Sequence, residues 1–145
     1  MATAIDTTIY TVIENRFRFI RPFRGAVACL GSLRDAGLRL GLLSDLPPVK
    51  KISLMGLDGY FESMLCSEDF GALKPDPRPF VALAQTLSTP PESMLYVGNK
   101  MEYDILGAKA AGMQTALFSR RKCVDADFTF QSWNELREWI LLRQG

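Results

Sequence analysis

One stretch decides the fold of this 145-residue chain: residues 96–113, which read YVGNKMEYDILGAKAAGM. A short apolar run ends at Gly98, polar residues follow, and a helix-period segment runs on to Gly112. This order is typical of a buried strand, a tight turn and a helix closed by a glycine. The small side chains of Gly107 and Ala108 let such a helix lie close to a sheet. The stretch therefore predicts one strand–helix unit of a parallel α/β sheet.

Short apolar runs and helix-period segments alternate in the same way from Pro22 onward. The pattern predicts a three-layer, Rossmann-like α/β sandwich with a mostly parallel sheet. The leader, residues 1–21, does not share the alternation, so we divide the chain into this leader and a core domain of residues 22–145. The predicted strands are 38–44, 63–67, 95–97, 115–118 and 128–130, and the predicted helices are 26–36, 49–55, 80–87 (entered at Asp76), 102–111 and 133–142.

Composition narrows the function classes. The chain is 48% hydrophobic with a formal net charge of +1, which suits one packed domain and gives no basic surface for nucleic acid. It contains no apolar run of about 18 residues, so no membrane segment is expected. Its three cysteines lack metal-type spacing and histidine partners, which predicts buried thiols in a reducing cytoplasm. The expected ligand is a small molecule.

Polar residues directly after predicted strands are the candidates for a site. Ser44 and Asp45 follow one strand, Lys74 lies in the loop after the next, and Asn99 and Asp104 follow a third. In an open parallel sheet, ligands bind outside the carboxyl ends of the strands. Taken singly, a serine there is an ordinary turn residue and a loop lysine is ordinarily solvated. Their order and spacing together point to one site.

Three segments then resemble the second, third and fourth motifs of the haloacid dehalogenase-like (HAD) hydrolases. They are LLSD (42–45), GALKPDPRPF (71–80) and YVGNKMEYDILGAKAAGM (96–113), in the family's order and at its separations. The resemblance covers about residues 22–131. It implies a HAD-like core of the phosphatase branch without a complete cap. The implied reaction is magnesium-dependent hydrolysis of a small phosphate monoester through an aspartyl-phosphate.

The resemblance also implies roles. Ser44 would donate its hydroxyl to a phosphoryl oxygen, and Lys74 would place positive charge on the phosphate, so both are expected to be catalytic and substrate-binding. Asp45 would bind substrate or cap its own loop. Asp104 and Asn99 would hold Mg²⁺ through oxygen atoms. An aspartate is usual at the Asn99 position, so weaker metal binding is expected. Dehalogenases use an Asn and an Asp at closer spacing, which favours the phosphatase branch.

The family's first motif, an apolar strand ending in Asp-x-Asp-x-Thr, is not found upstream of Pro22. The nearest echo, AIDTTIY at residues 4–10, would put Ala4 at the nucleophile position and Asp6 at the acid/base position. Alanine cannot attack phosphorus, so we expect this chain alone not to hydrolyse phosphate esters. Two interpretations stay open: residues 9–21 end a cap, or the echo is a degenerate motif in a protein that binds phosphorylated ligands without turnover. A purely structural role is the third.

The family's strand order leaves a gap to fill. The strand of the first motif lies between the strand ending at Ser44 and the strand ending at Val97. Without it, buried backbone groups would stay unpaired at about 1–3 kcal/mol each. We expect residues 2–9 to supply the strand. The alternatives are a homodimer that exchanges strands and a complementing chain that carries the first motif.

A basic run, Arg120-Arg121-Lys122, follows a predicted strand at the same edge of the sheet. It is expected to be a solvated loop, and its position also allows contact with a substrate phosphate.

Overall fold

The computed structural model describes the strand Asp6–Ile9 and residues 21–144. The strands are β1 Asp6–Ile9, β2 Leu40–Ser44, β3 Ser63–Cys66, β4 Met94–Gly98, β5 Gln114–Phe118 and β6 Phe128–Phe130. The α-helices are α1 Ala26–Asp35, α2 Val49–Leu54, α3 Pro77–Thr86, α4 Leu106–Ala110 and α5 Trp133–Leu142. Short 3₁₀ helices cover Ser67–Phe70 and Pro91–Ser93, and a π-helical turn covers Met101–Ile105.

The six strands form one sheet in the order β3-β2-β1-β4-β5-β6, and every neighbouring pair is parallel. This confirms the predicted α/β class. β1 lies in the middle, with Thr8 level with Gly41 of β2 and with Tyr96 of β4. It occupies the gap into which the sequence predicts a strand from residues 2–9, of which 2–5 lie outside the described residues. The division into a leader and a core domain at residue 21 stays a prediction.

Helices cover both faces of the sheet, as the alternation predicts. Strand β4 shows the two-sided burial: Leu95 and Val97 pack with α1, α2 and α5, whereas Met94 and Tyr96 pack with α3 and α4. All four side chains are at most 1% exposed. A strand buried on both faces needs apolar residues at every position, which explains the unbroken apolar runs in the sequence.

Local sequence signals fix the ends of two helices. Asp76 caps α3 by accepting the backbone N–H of Arg78 at 2.9 Å, and a proline at the first helical position follows. Ser132 caps α5 by accepting the N–H of Glu135 at 3.2 Å, and Glu135 in turn accepts the N–H of Gln131. These caps put the start of each helix where the sequence predicts it.

One predicted helix is wrong in its details. The segment predicted as a single helix over 102–111 is a π-helical turn, Met101–Ile105, followed by the short helix α4. The wider turn places the Asp104 carboxylate beneath the backbone amides of Asn99 and Lys100, which it accepts at 3.1 and 3.0 Å. Single π turns of this kind are frequent at functional sites.

Two further predictions concern membranes and thiols. Within the described part of the chain, no helix has the length and apolarity needed to cross a bilayer. The three cysteines are free thiols; Cys29 and Cys66 are buried as predicted, whereas Cys123 is partly exposed.

The central position of β1 leads to a first prediction. Deleting residues 1–10 should abolish the cooperative thermal transition, because β2 and β4 would each lose a backbone partner inside the domain. Calorimetry or circular dichroism on heating measures this. Thr8→Pro, which removes one N–H from the central strand, should weaken the transition, whereas the matched Thr8→Val should preserve it. A truncated chain that still melts cooperatively as a monomer would contradict the strand assignment.

Candidate active site

The predicted site residues meet at the carboxyl edge of the sheet. Ser44 ends β2, Lys74 lies in the loop after β3, and Asn99 follows β4. Ser44, Lys74 and Asp104 are buried polar residues, 8%, 4% and 0% exposed. Buried polar groups are costly unless they are paired, so their partners define the site.

An ion pair between Lys74 and Asp104 forms the centre of the site. Lys74 Nζ donates to Asp104 Oδ1 at 2.6 Å, and the two side chains are 1% and 0% exposed. Burial lowers the pKa of Lys74, and the charge of Asp104 opposes that shift. Burial likewise raises the pKa of Asp104, and Lys74 opposes it. Each residue is thus the main counter-ion of the other, and both side chains are withdrawn from water.

Asp104 also holds the loop that follows β4. Its Oδ2 atom accepts the backbone N–H groups of Asn99 and Lys100. The Oδ1 atom of Asn99 is buried and has no hydrogen-bond partner among the described residues. A buried carbonyl oxygen without a donor is rare in a folded protein and suits a cation or a ligand group.

Asp45 connects the loop after β2 to the loop after β3. Its Oδ1 atom accepts the backbone N–H of Lys74 at 3.2 Å, and its backbone carbonyl accepts the Cys66 thiol at 3.6 Å. This contact joins two loops, and the choice between substrate binding and loop capping for Asp45 stays a prediction. Ser44 lies beside it, and its Oγ atom accepts the N–H of Leu46 at 3.2 Å. A hydroxyl that accepts one bond keeps its own proton to donate.

Sequence reasoning did not single out Gly98 as a site residue. A Cβ atom on Gly98 would lie 2.5 Å from Oδ2 and 2.6 Å from Cγ of Asp104. Only glycine therefore lets the Asp104 carboxylate reach under the loop after β4. The sequence does mark this position, because a glycine stands immediately before Asn99.

The structure corrects the alignment of the first motif. Asp6 begins β1 and is level with Met94, the first residue of β4. It therefore starts the strand at the edge opposite the site, and cannot stand at the acid/base position that the echo of the motif assigned to it. The carboxyl end of β1 comes at Ile9, five residues after Ala4, the position that the alignment assigned to the nucleophile. Of residues 9–21, which were expected to end a cap, 10–20 lie outside the described residues.

The sequence model of the haloacid dehalogenase-like hydrolases matches residues 2–112. The chain belongs to this family. The predicted family is thereby confirmed, and the matched range includes the segments that carry Ser44, Lys74 and Asn99 with Asp104.

Known phosphatases of the family are similar to this chain. Glyceraldehyde 3-phosphate phosphatase of Methanopyrus kandleri is 32% identical over 117 residues, 79% of this chain and 50% of that protein. Phosphoglycolate phosphatase of Aquifex aeolicus is 32% identical over 108 residues, 72% and 50% of the two chains. The crystal structure of a HAD phosphatase from Thermococcus onnurineus superposes with a TM-score of 0.76 at 30% identity, covering 82% of this chain and 58% of that one. The chain thus spans about half the length of the curated relatives.

The ion pair generates a second prediction. Lys74→Met and Asp104→Asn should each lower the free energy of unfolding by about 3–5 kcal/mol, because each leaves a buried charge without its counter-ion. The double variant, which removes both charges, should lose less than the sum of the single losses. Urea unfolding of all four proteins measures the coupling. Strictly additive losses would show that the two side chains do not interact.

A third prediction tests the contact at Gly98. Gly98→Ala should destabilise the fold by about 1–3 kcal/mol, since the new methyl group forces Asp104 to move. Gly98 does not have a positive φ, so the loss would not come from the backbone. Gly31→Ala is the matched control: its Cβ meets no atom within 4 Å, and in the middle of α1 it should gain about 0.5–1 kcal/mol. Equal stability of Gly98→Ala and the native chain would rule out the close approach.

Proposed function

We propose that this chain supplies the phosphate- and magnesium-binding residues of a phosphatase that acts on a small phosphate monoester. The observation that carries the proposal is the buried Lys74–Asp104 pair at the sheet edge where Ser44 ends β2. The similar proteins named above are phosphatases of glyceraldehyde 3-phosphate and of phosphoglycolate, and both names support a small substrate. The ligand we propose is therefore a small phosphorylated molecule, with neither nucleic acid nor membrane as partner.

The proposed chemistry uses charge and position. Phosphoryl transfer depends mainly on placing the substrate and neutralising its oxygens. Lys74 would hold its ammonium against a phosphoryl oxygen, positioned by Asp104 through the side chain and by Asp45 through the backbone N–H. Ser44 would donate its hydroxyl proton to a second oxygen. In this arrangement Lys74 and Ser44 touch the substrate, and Asp45 shapes the substrate loop.

The oxygen atoms at the end of β4 are the ones that would hold magnesium. The Asn99 Oδ1 atom is buried and unpartnered among the described residues, and Asp104 supplies a carboxylate next to it in the same loop. No group of three or more acidic, cysteine or histidine side chains that could hold a metal occurs in the described part of the chain. Asn99 with Asp104 would thus give only part of the coordination. A bound Mg²⁺ would neutralise negative charge on the phosphoryl group.

A second function is a protein that binds a phosphorylated ligand without hydrolysing it. Residues 1–21 contain no Asp-x-Asp-x-Thr segment, and Asp6 starts β1 at the edge away from the site. Catalysis would then need an aspartate from outside this sequence, encoded upstream of Met1 or carried by a complementing chain. A homodimer could exchange strands but would bring no first motif of its own. We place either form in the cytoplasm, where the three free cysteines stay reduced.

Anion binding tests the proposal. Phosphate at about 100 times its dissociation constant should raise the free energy of unfolding by about 2.7 kcal/mol, with sodium chloride at equal ionic strength as the control. Ser44→Ala and the doubly neutral Lys74→Met/Asp104→Asn should both lose this protection. Magnesium should add protection to the native chain and not to Asn99→Ala. Unchanged protection in the doubly neutral variant would show that phosphate binds elsewhere.

Turnover separates the two functions. With p-nitrophenyl phosphate and magnesium, this chain by itself should stay at the background rate. Turnover that is lost in Ser44→Ala would contradict that expectation and would show that the chain has its own nucleophile.

A further inference from the structure

Three consecutive cations lie exposed in the segment that connects β5 to β6. Arg120, Arg121 and Lys122, here called the basic loop, are all exposed. Among the residues that the structure describes, none of the three side chains forms an ion pair. Asp127, in the same connection, accepts the N–H and hydroxyl of Thr115 instead. The positive charge of the basic loop is therefore not neutralised by a described carboxylate.

The basic loop lies at the same edge of the sheet as the candidate active site. β5 is parallel to β4 with Leu117 level with Gly98, so Ser119 comes near the level of Lys100. Adjacent strands lie about 4.8 Å apart. The Cys123 thiol, directly after the basic loop, contacts Met101 Sδ at 3.4 Å at the start of the π-helical turn. This turn carries Asp104, so the segment that contains the basic loop is joined to the active-site loop at Cys123.

The connection is held in place, and it borders a cavity. The backbone N–H of Arg121 donates to Ser119 Oγ at 3.1 Å, and that of Cys123 donates to Thr129 Oγ1 at 3.2 Å. A cavity of about 430 Å³ adjoins the connection, with Ser119, Lys122 and Thr129 in its wall. Guanidinium groups on an anchored loop can bind a carboxylate or a phosphate with two parallel hydrogen bonds.

We propose that the basic loop binds a second anionic group of the substrate, while the phosphate that is hydrolysed lies at Ser44 and Lys74. The inference rests on the proposed function and narrows its substrate class. The substrate would be a short phosphate monoester that carries a carboxylate or a second phosphate. Lys74 contacts Asp104, which follows β4, and the basic loop follows β5, the neighbour of β4. A substrate held at Lys74 would therefore extend toward the basic loop.

The experiment compares ligands that differ only in the second group. Phosphoglycolate and phosphoglycolamide differ by one charge, because an uncharged carboxamide replaces the carboxylate. Ethylene glycol bisphosphate and 2-hydroxyethyl phosphate make the corresponding pair for a second phosphate. Calorimetric titration of the native chain should show the charged member of at least one pair binding about fivefold more tightly or better. The pair with the larger ratio identifies the second group.

Matched variants locate the effect. The ratio measured is the affinity for the charged member of a pair divided by the affinity for the uncharged member. Arg120→Gln with Arg121→Gln should bring this ratio close to one and leave the affinity for inorganic phosphate unchanged. The control, Arg34→Gln with Arg143→Gln, also removes two arginine charges, from the last turn of α1 and the end of α5, and should keep the native ratio. A ratio near one in the native chain, or an equal ratio in the native chain and the Arg120/Arg121 variant, would overturn the inference.

These results separate the inference from the proposed function. The native chain could bind phosphate through Ser44 and yet bind the charged and uncharged ligands of each pair equally well. That result would retain the proposed function and reject the second anionic site. A native chain that binds neither phosphate nor the esters would reject both.

Discussion

The ion pair between Lys74 and Asp104 is the contact on which the site depends. It joins the loop after β3 to the turn after β4, and the backbone N–H of Lys74 extends the connection to Asp45 after β2. Three separate strand ends are thereby held in one arrangement. Buried ion pairs contribute little net stability compared with apolar packing, because both charges must leave water. The value of this pair lies in the positions it imposes on Lys74 and on the Asn99 loop.

Close packing around two glycines supports that arrangement. At Gly98 the missing side chain makes room for the Asp104 carboxylate, and at Gly107 it makes room for the Phe80 ring of α3. A Cβ on Gly107 would also lie 3.0 Å from the Pro75 carbonyl, in the loop that carries Lys74. The turn that carries Asp104 and the loop that carries Lys74 are therefore closely packed at both glycines. The hydrophobic core and the polar site constrain each other.

The sequence predicts the strands and the positions of the site residues well, because apolar runs that stop at a polar residue identify a strand end. It does not predict which polar groups pair. Lys74 and Asp104 are 30 residues apart, and each had a separate role when considered alone. The π-helical turn was missed because it shifts a helical pattern by a single residue. Asp6 was misplaced because motif letters carry no strand register, which only pairing with Met94 reveals.

If the site holds a phosphate ester as proposed, its charge balance requires further cations. The positive charge of Lys74 is matched by Asp104, and Asp45 adds a negative charge close enough to act on Lys74. Asn99 contributes an oxygen without charge. These residues together are formally negative, so a doubly charged phosphate monoester would gain little net attraction from them. A divalent cation at Asn99 would make the total charge of the site positive. The charges of Arg120 to Lys122 at the same edge, which no described carboxylate pairs, would add attraction for an ester with a second anionic group.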